Sequence, residues 1–104
     1  MNIQHLQHRL RQFAAERKWQ RFQTPKNLAM AMVVEAAELV EIFQWMTAEE
    51  SLAIASNADK HQHLGEELAD VMLYLLQIAD HASVDIEEAI ERKLALNALK
   101  HRVT

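Results

Sequence analysis

Residues 28–45 read LAMAMVVEAAELVEIFQW, and residues 64–78 read LGEELADVMLYLLQI. In the first, Leu28, Met30, Met32, Val33, Val34, Leu39, Val40, Ile42, Phe43 and Trp45 leave almost no polar face on a helix. In the second, Leu64, Leu68, Val71, Met72, Leu73, Leu75, Leu76 and Ile78 do the same. A helix apolar nearly all round is buried on most sides. A chain of 104 residues can hardly surround two of them, so a homo-oligomer is expected, a dimer or a tetramer.

Working outward, the remaining segments also read as helix. Ile3, Leu6, Leu10 and Phe13 recur at helical spacing and predict a first helix over about 3–18. Trp19 to Thr24 is expected to be a loop, because Thr24 precedes a proline. Pro25 suits the first turn of the second helix, which is expected to run to about Met46. Thr47-Ala48-Glu49-Glu50 has the form of a capping box and predicts a short helix to about Ala55. After a turn at 56–59, a third long helix spans about 60–81. Asp85 caps a last one that ends near Lys100. The expectation is a single domain over 1–104, an all-α, oligomeric four-helix bundle.

Composition agrees. One glycine (Gly65) and one proline (Pro25) are too few for a turn-rich β fold. With no cysteine, disulfides, zinc–thiolate sites and thiol chemistry are excluded. The N-terminus lacks a signal-peptide pattern. The longest apolar run, Leu28 to Val34, is well short of the roughly 20 residues needed to span a bilayer. A cytoplasmic protein without membrane attachment is expected. A net charge of −4 disfavours nucleic acid as a partner. An acidic protein acting on a polyanion needs cations between them.

Set into the two apolar helices are Glu35 and Glu38 on one, Glu67 and Asp70 on the other. Each pair is spaced i, i+3, so both carboxylates project from one face about a turn apart. Like charges there repel, and burying a lone carboxylate costs several kcal/mol unless it is paired or neutralised. No Lys or Arg lies between Leu28 and Met46, or between Leu64 and His81. Protonation, basic residues from other helices, or a bound cation are the three ways out. Four oxygen donors across two helices favour the cation, a hard one such as Mg²⁺ or Mn²⁺. Di-iron bundles place a histidine three residues after a glutamate. That spacing is absent after Glu35 and Glu67. Tyr74 lies i+4 from Asp70 and Trp45 i+7 from Glu38, on the acid-bearing faces. The histidines, at 5, 8, 61, 63, 81 and 101, fall near expected helix ends and read as non-catalytic.

Glu35-x-x-Glu38, 28 residues, then Glu67-x-x-Asp70 resembles the signature of the MazG-like, all-α nucleotide pyrophosphohydrolases. Phe13 to Trp19, Pro25 to Leu28, Glu38 to Trp45 and Glu66 to Leu75 resemble the dCTP pyrophosphatase branch. The resemblance covers about residues 5–100. It implies hydrolysis of a (deoxy)nucleoside triphosphate between the α and β phosphates, giving monophosphate and pyrophosphate. It implies Glu35, Glu38, Glu67 and Asp70 as magnesium ligands, and Trp19, Trp45 and Tyr74 as the base pocket. Lys93 and Asn97 would contact sugar or phosphate. The bundle would assemble as a dimer or dimer of dimers, with sites built across subunits. Leu10 stands where some relatives carry a polar residue near the base, and Lys100 where they carry an arginine.

In such an enzyme Glu38 is expected to act as general base, with Glu35 the second catalytic carboxylate. Two other readings stay open. One is a non-catalytic oligomeric module with a metal staple. The other is a related helical hydrolase acting on phosphoribosyl-ATP.

Overall fold

The computed structural model describes residues 1–103. Its elements are α1 (Ile3–Glu16), a 3₁₀ turn (Gln20–Phe22), α2 (Pro25–Phe43), α3 (Ala48–Leu52), a second 3₁₀ turn (Ile54–Ser56), α4 (Ala58–His81) and α5 (Ile86–Lys100). The all-helical expectation holds, with four long helices and no strand among the described residues. Among these residues, no helix is long and apolar enough to cross a membrane.

Every α-helix starts on a side chain suited to the task. Asn2, Thr24, Thr47, Asn57 and Asp85 each accept a hydrogen bond from the backbone N–H three residues on. Such a contact satisfies one of the four donors a helix start leaves unpaired. At Thr47 the bond is reciprocal, since Glu50 accepts from the Thr47 backbone N–H. The same contacts hold the Glu50 carboxyl below its ordinary range.

Four boundaries differ from expectation, among them that of α3, which stops at Leu52 rather than about Ala55 before a 3₁₀ turn takes over. α1 stops at Glu16, because Lys18 turns into the left-handed region at φ 57°. The Lys18 N–H then reaches Ala15 O and the Trp19 N–H reaches Ala14 O, the paired bonds of a Schellman ending. α4 ends in the same way, with Ser83 at φ 56° and Val84 N–H on Ala79 O. α2 stops at Phe43 rather than Met46. The Met46 N–H bonds back to Phe43 O, and the Thr47 cap then draws the chain into a new direction. α4 begins two residues early, because Asn57 rather than a later residue caps it.

Packing centres on α2 against α4, with α1 laid along α4. Leu28 and Leu76 are buried in that seam, and Ala14 and Ala79 let α1 approach. Gln7 on α1 donates to the Leu76 carbonyl at 2.9 Å. α5 makes almost no contact with the other long helices. Its Ile90, Leu94, Leu96 and Leu99 are 48–62% exposed, and Met30, Val33, Val34 and Val40 on α2 lie open too. The apolar face of α2 foreseen as needing cover is therefore uncovered within one chain, and so is that of α5, which was not foreseen.

Candidate metal centre

Glu35 and Glu38 from α2 meet Glu67 from α4 at the middle of the seam. Each offers an oxygen within 4.8 Å of those of the other two. α2 and α4 are held together by their apolar residues, and the carboxylates are brought along at i, i+3 spacing. Glu67 is only 8% exposed, and its Oε2 has no hydrogen-bond partner. An unpaired buried carboxylate oxygen is costly, so its place in the fold demands an explanation.

The electrostatics point the same way. Loss of water pushes the Glu35 carboxyl from its ordinary 4.5 up to about 7, helped by the negative charge of Glu38 and by contacts with Glu67. Burial also raises Glu67, followed by the closeness and the charge of the Glu38 carboxyl. Asp70 lies outside the 4.8 Å group, but its charge adds to both shifts. Basic neighbours do little to relieve this. Among the described residues, His63 alone touches the cluster, with Nε2 3.4 Å from Glu67 Oε1. Three crowded carboxylates, one with an orphaned oxygen, form an all-oxygen donor set that fits a hard divalent cation.

The cluster lies between two recesses. The smaller, about 180 Å³, is lined by Trp19, Tyr74, Glu35, Asp70, Leu10 and Gln77, among others. Trp19 reaches it because the left-handed Lys18 folds it back against Phe13, ring centroids 5.6 Å apart and edge-on. Arg17 covers the Phe13 ring at 3.3 Å, and Asn27 ties the Gln20–Phe22 turn to α2 through the Phe22 carbonyl. The larger recess, about 520 Å³, holds Glu38, Glu41, Trp45, Glu50, Lys60 and His63 on its walls.

The aromatic residues singled out in the sequence thus separate. Trp19 and Tyr74 share one cavity with Glu35 and Asp70, whereas Trp45 stands on the other, 89% exposed. Helical spacing from Glu38 does not apply to Trp45, because α2 has already ended. Lys93 and Asn97 lie on α5, exposed and on neither recess. His63, read as non-catalytic in the sequence, and Lys60, not considered there, line the larger recess. Gln77 was missed, although it stands i+3 from Tyr74 and i+7 from Asp70 on one face of α4.

The MazG-like family profile matches residues 30–104. The chain is 39% identical to dCTP pyrophosphatase 1 of Bos taurus over 92 residues, 88% of this chain and 54% of that protein. It is 39% identical to dCTP pyrophosphatase 1 of Homo sapiens over 90 residues, 86% of this chain and 53% of that protein. The chain therefore spans about half the length of the curated relatives it matches. A crystal structure of a pyrophosphatase from Archaeoglobus fulgidus superposes with a TM-score of 0.86 at 37% identity, covering 96% of this chain and 92% of that one.

Proposed function

The chain belongs to the MazG-like family, and on that premise we propose that it hydrolyses (deoxy)nucleoside triphosphates at the α–β anhydride. Water adds across the Pα–O–Pβ bridge, giving a nucleoside monophosphate and pyrophosphate. Mg²⁺ is the working ion, with Mn²⁺ able to replace it. The likeness to dCTP pyrophosphatases and to the Archaeoglobus pyrophosphatase supports this reading. One observation carries it: three carboxylates within 4.8 Å, one with an unpartnered buried oxygen, beside a cavity walled by Trp19 and Tyr74.

Glu35, Glu38 and Glu67 hold the ion, with Asp70 alongside. When bound, that ion supplies the positive charge an acidic protein needs to meet a polyphosphate. Glu38 also borders the larger, water-accessible recess, so it can take the proton of the attacking water. Glu35 stands beside it as the second catalytic carboxylate. Trp19 and Tyr74 present aromatic surface to the base, and Trp45 closes on the nucleotide from the other recess. Lys93 and Asn97 reach sugar or phosphate when α5 of a second subunit covers the site. A homodimer or homotetramer, assembled through the open leucines of α5 and valines of α2, meets that need.

The test is direct. Purified protein is incubated with each dNTP and Mg²⁺, and products are resolved by chromatography. Monophosphate with pyrophosphate is expected, and Glu38→Gln is expected to lose most turnover while keeping the fold. Release of inorganic phosphate and diphosphate nucleotide instead, or unimpaired Glu38→Gln, overturns the scheme.

A further inference from the structure

We propose that Gln77 selects the base, favouring one with an exocyclic amino group over one with a carbonyl at that position. This deepens the nucleotide reading above and rests on it. Gln77 is half-buried and lines the same cavity as Trp19 and Tyr74. Its side-chain Nε2 donates to the Leu73 carbonyl, one turn back, at 3.1 Å. A carbonyl oxygen can only accept, so this contact assigns the nitrogen to the Leu73 end of the amide. The Oε1 end is left without a donor among the described residues. Turning the amide over forfeits that bond, so Oε1 is the favoured acceptor. Gln23, which lines the same cavity, has no such anchor and can offer either end.

Position along α4 fits the role. Gln77 lies seven residues beyond Asp70, which at 1.5 Å per residue is about 10 Å along the helix axis. That span matches the reach from the phosphate of a nucleotide to the far edge of its base. Tyr74 sits between the two ends. Elsewhere the cavity wall is apolar at Leu10, Phe13 and Leu73. Where it faces the base, an anchored acceptor discriminates, because a carbonyl opposite Oε1 leaves both oxygens unpaired, whereas an amino group satisfies it. Cytosine and uracil differ in this way at position 4.

The experiment compares kcat/KM for dCTP and dUTP in the wild type, Gln77→Leu and Gln77→Met, with helicity checked by circular dichroism. Methionine matches glutamine in reach and favours helix, so it guards against a folding defect in the leucine variant. Wild type is expected to prefer dCTP by about tenfold or more. Both variants are expected to bring the ratio towards one, through a higher KM for dCTP with kcat largely kept. A ratio unchanged in both folded variants, or a wild type indifferent between the two, overturns the role of Gln77 while leaving the enzymatic reading intact. Absence of hydrolysis of every dNTP by the folded wild type overturns both.

Discussion

Arg11 Nη1 lies 2.6 Å from Asp80 Oδ1, joining the middle of α1 to the last turn of α4 across 69 residues of chain. Asp80 is mostly covered while Arg11 remains half exposed, so water screens the pair on one side only. With the nearby bond from Gln7 to the Leu76 carbonyl, it fixes how α1 lies along α4. α1 in turn supplies Leu10 and Phe13 to the smaller cavity.

Arg11→Ala and Asp80→Ala are each expected to lower stability by about 0.5–1 kcal/mol, the range for a partly exposed, hydrogen-bonded pair. Because α1 forms one wall of the cavity, KM for the nucleotide rises in both variants while kcat changes little. A double-mutant cycle in urea checks the energy. Additive losses would mean that the contact is decorative.

Lys18 carries a side chain in a backbone region that disfavours one. Lys18→Gly is expected to raise stability by up to about 1 kcal/mol, and Lys18→Val to lower it by at least as much. Thermal melts of the two variants make the comparison. Trp19 fluorescence serves as a second readout, since the same turn seats that ring on Phe13. If valine is tolerated as well as glycine, the turn is not held as described.

Proton binding gives a third expectation. Glu35 holds its proton up to about pH 7 in the folded chain, against 4.5 ordinarily. Between those values the folded state binds more protons than the unfolded state, so this group's contribution to stability falls as pH rises. In EDTA, Glu35→Gln should match the wild type near pH 5 and melt higher than it near pH 8. Added Mg²⁺ competes with the proton, so its apparent affinity for the wild type should climb over the same interval. A gap between the melting curves that ignores pH would discard the assignment.

The uncovered leucines of α5 set a fourth test. An apolar helix face of this kind is expected to be buried in an assembly. Sedimentation of the wild type should give a dimer or tetramer, and Leu94→Glu should shift it towards monomer with loss of turnover. A wild type that sediments as monomer at all accessible concentrations would dismiss the assembly.

How much of this was legible in advance follows from range. The caps at Thr47 and Asp85 are decided within four residues, and each forms as their spacing foretold. The acidic pairs were legible because like charges amid Val34, Leu39, Leu68 and Val71 conflict with their surroundings. The meeting of Glu67 with Glu35 and Glu38 depends on how α2 docks on α4, which local pattern does not specify. Trp45 parts from Trp19 and Tyr74 for a local reason: the backbone turns after Phe43, which leaves Trp45 on the larger recess with Glu38. Lys18 gave no warning, since glycine is the usual residue in its conformation. Gln77 could have been found by following the face of Glu67, Asp70 and Tyr74 one further step.

That face has a consequence for how the protein can diversify. α4 is a stiff rod of 24 residues, and residue count alone sets how far Gln77 stands from Glu67 and Asp70. Substituting a side chain at one of these positions leaves the others where they are. On the proposed reading, new base preferences can therefore arise by single replacements near residue 77 while the carboxylate cluster keeps its geometry, whereas an insertion between them would rotate the two out of alignment.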